Sequence, residues 1–281
     1  MEIHHTTKGL QKMLHVTPIE TSIGFVPTMG ALHQGHISLV EKAAAENTLV
    51  VVSIFVNPTQ FDNEGDLTKY PRTLDEDIRL LEQTNKNIVV FAPTASEVYG
   101  DQIKSKKYKF GKLAEEMEGK HREGHFNGVG TVLNHLFRII EPDRAYFGEK
   151  DFQQLQIVRK LVVLENLPTA IVGCPILREA NGLAMSSRNQ RLTEAQRNKA
   201  VLISEILQQT KQQFEHKTIA QLTEAAEKAF AENESLELEY FEIANVKTLK
   251  TTKEKKEGKK YRAFIAAYAG NIRLIDNMAL N

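Results

Sequence analysis

The sequence predicts an α/β fold, a Rossmann-like parallel sheet followed by a smaller C-terminal α+β domain. Three observations carry that reading. Short apolar runs alternate with amphipathic segments over the first two thirds, the pattern of βαβ units. The run over 48–55 is almost entirely β-branched or apolar, as a strand covered on both faces must be. After residue 189 the texture changes to long charged helices and then to strands. With 281 residues, 41% of them apolar, there is enough chain for two modest cores. The expected domains are 1–176 and 177–281, the second closing over a site on the first.

In chain order, the first strand is expected over 22–27, with a turn at 28–30 and a helix over 34–46 whose inner face carries Ile37, Leu39, Val40, Ala43 and Ala44. The covered strand over 48–55 follows. A helix over 73–83 leads to a strand over 88–91 that Pro93 ends. A helix over 129–140 feeds a strand over 144–147, and a helix over 152–164 feeds the last strand of the sheet, 170–174. The second domain reads as helices over 194–215 and 218–232 and strands over 237–243 and 261–269. The lysine-rich stretch 247–260 reads as a solvated hairpin connection, since no aromatic residues interleave with its lysines for RNA to stack on.

Lysine plus arginine equals aspartate plus glutamate at 36 each, so no global field favours nucleic acid or an anionic membrane, and a charged ligand must be met locally. The longest largely apolar run, 49–56, is far short of the roughly 20 residues of a membrane span, and the N-terminal stretch has no signal-peptide h-region. A cytoplasmic protein is expected. Cys174, the single cysteine, excludes an internal disulfide and a cysteine-cluster metal site, and its flanks read as packing at a strand end.

Four segments stand where chemistry is expected. His33-Gln34-Gly35-His36 follows the first strand and opens a helix, an anion site in which helix N-terminal amides favour phosphate and Gly30 and Gly35 permit close approach. Histidines there can donate to phosphate oxygens as charge builds at an α-phosphorus. A bare His-x-x-His would equally be a zinc pair or two incidental surface histidines, but neither a third ligand nor an adjacent glutamate base accompanies it. Asn57 and Gln60 emerge from the C-terminal end of the second strand, where ligands of parallel sheets bind, and an amide there suits a small hydroxy acid. Asn57-Pro58 alone is a turn signal. Gly148-Glu149-Lys150-Asp151 again leaves a strand for a helix: Lys150 can neutralise phosphate, and Asp151 can cap the helix or hold a magnesium water. Of Gln153 and Gln154, one must face the cleft if this is a site. Ser186, Ser187 and Arg188 lie in a flexible loop able to close over a triphosphate, or equally a capping linker.

In this order and spacing, with Tyr70-Pro71-Arg72-Thr73 between them, the segments resemble the pantothenate synthetases, the pantoate–β-alanine ligase family of the His-x-Gly-His nucleotidyltransferase superfamily. The resemblance covers essentially the whole chain and is densest over 24–72 and 124–189. It implies condensation of (R)-pantoate with β-alanine using ATP and Mg²⁺, through an enzyme-bound pantoyl adenylate, in a homodimer. It implies ATP binding by Met29, Gly30, Ala31, Leu32, His33, Gln34, Gly35, His36, Gly148, Glu149, Lys150, Asp151, Leu177, Met185, Ser186, Ser187 and Arg188. His36, His33 and Lys150 would be catalytic, with His36 nearest the reacting phosphate. Gln60, Gln154, Arg122 and Asn57 would bind pantoate, Gln60 also meeting β-alanine, and Asp75 and Asp77 match an acidic cluster associated with magnesium. Three residues depart from the family pattern: Thr59 stands where methionine is common, Glu123 where proline often follows the arginine, and Glu76 within a cluster more often all aspartate. The rival reading is a nucleotidyltransferase that adds AMP or CMP to a phosphorylated acceptor and stops. The amides of Gln60 and Gln154 favour a compact carboxylate substrate over a phosphate.

Overall fold

Consecutive buried positions, such as Val50, Val51 and Val52, mark a sheet covered on both faces, as parallel sheets are. The computed structural model describes residues 1–61, 64–84 and 86–281. The chain divides into two units: the first takes Met1–Phe110, Arg122–Glu149 and Gln154–Pro175, the second Gly111–His121, Lys150–Gln153 and Ile176–Asn281. The second therefore collects two short pieces from the middle of the chain as well as its C-terminal third.

The first unit opens with strand β1 (Glu2–His4) and helix α1 (Thr7–His15), and continues through β2 (Ile23–Thr28), α2 (Gln34–Glu46), β3 (Leu49–Ile54), α3 (Glu64–Lys69), α4 (Leu74–Glu82), β4 (Ile88–Phe91) and α5 (Ala95–Tyr99). Helix α6 (Glu118–His121) falls in the second unit. Then come α7 (His125–Ile140), β5 (Arg144–Gly148), α8 (Phe152–Leu164) and β6 (Ala170–Cys174). All five strand pairings are parallel, in the order β1-β4-β3-β2-β5-β6. From β2 the chain winds outward to β3 and β4, then returns to place β5 on the other side of β2. The switch point lies between β2 and β5, and ligands of such sheets bind beyond the carboxyl ends of the strands that flank it.

The second unit holds α9 (Glu194–Gln213), α10 (Ile219–Ala231) and an antiparallel sheet in the order β7 (Glu237–Asn245), β8 (Tyr261–Ala269), β9 (Ile272–Ala279). Both helices begin with a capping box, Thr193 with Gln196 and Thr218 with Gln221, which satisfies amides the helix leaves unpaired. Ile203, Leu207, Phe230, Ile243, Ile265 and Leu274 are among its core. The early segment is fastened there by charge: Arg273 donates to both oxygens of Glu118 at 2.8 and 2.7 Å and also to Glu239, while the Tyr240 hydroxyl donates to Glu118 at 2.7 Å.

The predicted fold class holds. The differences are β1, α1, α3, α5, α6 and β9, none of which the sequence reading anticipated, and α7, which starts at His125 rather than 129. Strand β9 escaped because Asp276 and Asn277, both buried, break the apolar alternation that announces a strand. No helix among the described residues is long and apolar enough to cross a membrane.

Candidate active site

The turn after β2 ties up its own main-chain amides and carries two imidazoles. Gly30 has φ +79°, left-handed backbone that glycine adopts without strain. Ala31 follows at φ 50°, and the carboxylate of Asp77 on α4 holds the pair in place. Its oxygens accept from Ala31 N at 3.0 Å, Leu32 N at 2.7 Å and the Thr73 hydroxyl at 3.2 Å. Asp77 is 2% exposed, and burial, which disfavours the charged form, raises its pKa against those hydrogen bonds. At the start of α2 the histidines cap the helix reciprocally: Gly35 N donates to His33 Nδ1 at 3.1 Å and His33 N to His36 Nδ1 at 3.3 Å. Since each Nδ1 accepts, a neutral ring must carry its proton on Nε2. The two rings, 4.1 Å apart between centroids, therefore each present an Nε2–H donor.

Gln60 sits next to that turn. Its Nε2 donates to Met29 Sδ at 2.9 Å and its Oε1 accepts from Asn57 Nδ2 at 3.1 Å, which sets the orientation of the amide. Its main-chain oxygen meets His125 Nδ1 at 2.8 Å and Arg122 Nη2 at 3.4 Å. Helix α7 approaches so closely that a Cβ on Gly128 would lie 2.0 Å from Thr59 O; only glycine fits. Asn57 needs correcting as a direct pantoate ligand. It is 1% exposed, its Oδ1 accepts from Thr59 N, the Thr59 hydroxyl and the Tyr99 hydroxyl at 3.3, 3.1 and 2.5 Å, and its Nδ2 also reaches Gly128 O at 3.4 Å. With its hydrogen-bonding capacity met inside the protein, Asn57 holds Gln60. Thr59, the departure from methionine, gives this network a hydroxyl that also meets Tyr99 at 3.1 Å, while burial pushes the Tyr99 phenol up to about 12, so it acts as a neutral donor.

The acidic run does not form a metal cradle. Asp75 is exposed while Asp77 is turned inward with both oxygens engaged, and no group of three possible metal ligands converges among the described residues. Gln154 is half-buried on α8. Gln153 is buried and structural, accepting from Glu118 N at 3.0 Å and donating to Leu113 O and Glu116 O at 2.9 and 2.8 Å.

In the second unit, Lys150 and Asp151 lie in a 3₁₀ turn that leads into α8, with Lys150 Nζ 3.8 Å from the Asp151 carboxylate. The segment expected as a flexible loop is a hydrogen-bonded hairpin. Met185 N donates to Leu177 O at 3.1 Å, Arg178 pairs antiparallel with Ala184, and Glu179 N donates to Leu183 O at 2.8 Å. Ser186 then caps a second 3₁₀ turn, Ser187–Arg191, by accepting from Arg188 N at 3.3 Å. Buried Asn189 ties that turn to Glu179 and to Ala184 O at 2.8 and 3.0 Å, and Arg197 closes the cluster on Glu179 at 2.8 Å.

The family model of pantoate-beta-alanine ligase matches residues 2–279. The chain belongs to the pantoate–β-alanine ligase family. It is 58% identical to the pantothenate synthetase of Christiangramia forsetii over 260 residues, 92% of each chain, and 54% identical to that of Flavobacterium psychrophilum over 93% of each. Among solved structures it is similar to pantothenate synthetase from Thermus thermophilus, with a TM-score of 0.91 and 38% identity over 100% of this chain and 99% of that one. It is also similar to the pantoate-beta-alanine ligase of Francisella tularensis complexed with beta-gamma ATP and beta-alanine, at a TM-score of 0.83 and 36% identity over 100% and 98%. Sequence reasoning missed the supports: Tyr99, His125 and Gly128 around Gln60, the inward role of Asp77, and Arg178, Asp276 and Asn277 in the second unit. Gly128 and His125 left a signal, a helix that begins with glycines and a polar residue where an apolar stripe would otherwise start.

Proposed function

We propose that the protein joins (R)-pantoate to β-alanine at the expense of ATP, releasing AMP and pyrophosphate and passing through an enzyme-bound pantoyl adenylate. The observation that carries this reading is the contact of Gln60 with Met29, which puts a fixed amide for the pantoate carboxylate beside the turn that bears His33 and His36. In the first half-reaction a pantoate carboxylate oxygen attacks the α-phosphorus in line and pyrophosphate leaves. Gln60 and Gln154 orient the acid, Arg122 stands behind Gln60, and the turn over residues 29–36, through the imidazoles of His33 and His36, meets the charge that develops on the α-phosphate. Lys150, Ser186, Ser187 and Arg188 take the charge of departing pyrophosphate, with Gly148, Glu149, Asp151, Leu177 and Met185 completing the nucleotide site. In the second half-reaction the β-alanine amine, met by Gln60, attacks the acyl carbon, AMP leaves with the bonding pair, and the amide nitrogen gives up its proton to water or to the AMP phosphate.

Mg²⁺ enters as the counter-ion of ATP, part of the substrate, because Asp75 and Asp77 offer it no shared cradle. A homodimer in the cytoplasm is part of the same reading.

The test is an assay of AMP and pyrophosphate with ATP and D-pantoate, with and without β-alanine. Without β-alanine, pyrophosphate but no amide is expected, and AMP should appear only when β-alanine is added. A stable nucleotidylated product with no AMP release under any condition would establish the rival nucleotidyltransferase instead.

A further inference from the structure

The second unit contains a connection that the proposed reaction does not use directly. Asp276 and Asn277 are neighbours on β9, 4% and 2% exposed. Asp276 takes the Arg178 guanidinium in a two-pronged ion pair at 2.6 and 3.0 Å, and Arg178 in turn donates to Gly182 O at 3.0 Å. Arg178 pairs with Ala184 across the hairpin that leads to Ser186, Ser187 and Arg188, so this carboxylate anchors the base of that segment. Asn277 donates from Nδ2 to Lys150 O at 2.7 Å. Its Oδ1 accepts from Arg262, whose guanidinium lies 4.0 Å over the ring of Phe152, two residues after Lys150. A surface strand needs none of this. Buried polar side chains at consecutive positions cost desolvation unless they are fully paired, and these two are paired to the Arg178 side chain and the Lys150 carbonyl, in two segments that carry the cations of the proposed site.

We propose that Asp276 and Asn277 are positioning residues for adenylylation, one strand holding both the Lys150 turn and the 178–188 hairpin so that their charges stand at a fixed spacing for departing pyrophosphate. The inference rests on the reading of Lys150 and residues 186–188 as the pyrophosphate-facing groups. Neither residue touches substrate; each acts through the segment it holds.

The experiment compares the wild type, Lys150→Ala, Asn277→Ala and the double variant. Pyrophosphate formation is followed in a single turnover of ATP and pantoate, and amide formation is followed from pre-formed pantoyl adenylate and β-alanine. Asn277→Ala should slow pyrophosphate formation by about 10- to 100-fold, the scale of a small misplacement of reacting groups, and leave amide formation unchanged. Added to Lys150→Ala it should cost nothing more, because its effect passes through Lys150. Multiplying losses in the double variant, or equal slowing of both half-reactions, would overturn the inference. If Lys150→Ala itself forms pyrophosphate at the wild-type rate, the assignment of Lys150 fails first, and that result is visible without the Asn277 variants. Should Asn277→Ala not fold, Asp276→Asn keeps shape and removes the charge and one of the two acceptors opposite Arg178. It should slow the same half-reaction, and wild-type rates in both halves would overturn the proposal.

Discussion

The turn that carries His33 and His36 and the hairpin that carries Ser186, Ser187 and Arg188 are held in different ways. In the first, the Asp77 carboxylate binds main-chain amides of the turn itself, 45 and 46 residues away in sequence. In the second, the anchor comes from the last strand and acts on a side chain, with Arg178 and Asp276 98 residues apart; the same strand holds the separate Lys150 turn by its carbonyl, Lys150 and Asn277 being 127 apart. A carboxylate bound to amides fixes φ and ψ directly, and it can do so because Gly30 and Ala31 already occupy left-handed backbone. A guanidinium pair fixes only where the base of a hairpin sits. The turn that carries His33 and His36 is therefore a template fixed through its own main chain, and the hairpin is anchored through a side chain at its base.

The largest effect should follow loss of the template. Asp77→Ala leaves two amides and a hydroxyl without their acceptor. Unsatisfied buried groups cost ~1–3 kcal/mol each, so from the two amides urea denaturation should show a stability loss of roughly 2–6 kcal/mol. Displacement of the turn should slow pyrophosphate formation by about 100-fold. Asp75→Ala, on the exposed side of the same helix turn, should stay within about 0.5 kcal/mol of wild type. If both variants instead raised the Mg²⁺ concentration needed for half-maximal rate, with stability untouched, the acidic run would be a metal site and the contrast between template and anchor would collapse.

A smaller effect separates holding a substrate group from holding a loop. The Tyr99 hydroxyl and the Thr59 hydroxyl both feed Asn57 Oδ1, and Asn57 fixes the Gln60 amide. Tyr99→Phe and Thr59→Val each remove one of these bonds, worth ~1 kcal/mol. The expected outcome is a rise of about fivefold in the KM for pantoate, with kcat and the KM for ATP little changed. A fall in kcat at constant KM would mean that this network steers the transition state rather than the bound acid.

How much of this could be read from the sequence follows from distance along the chain. His33 and His36 cap a helix within four residues, and Gln60 leaves a strand whose apolar run is continuous, so local pattern exposes them. Asp77 was visible only as one acid among three, because nothing local distinguishes the buried one from its exposed neighbours. Asn57 looked like a ligand because a polar residue at a strand end looks the same whether it faces a cleft or a Tyr99 that lies 42 residues away. Asp276 and Asn277 were hidden twice over: their polarity obscured the strand they belong to, and their partners lie about a hundred residues back. Long-range polar pairing leaves no period in a single sequence, whereas apolar burial does.

Cys174 supplies the zero of the comparison, since it ends β6 and belongs to neither segment. It is buried, and burial pushes its thiol up to about 11, so alkylation of the native protein at pH 8 should be slow and should accelerate only on unfolding. The sign of the linkage follows. A thiol whose folded pKa lies above its unfolded value keeps its proton in the native state, so the stability it contributes is complete below about pH 9 and is lost as pH rises through about 11. Cys174→Ala should flatten that part of the pH–stability curve, lower stability at neutral pH by ~1 kcal/mol, and leave pyrophosphate formation unchanged. If Cys174→Ala slowed adenylylation as much as Asp77→Ala, loss of rate would report general loosening of the sheet, and the separate roles of template and anchor would no longer be needed to explain it.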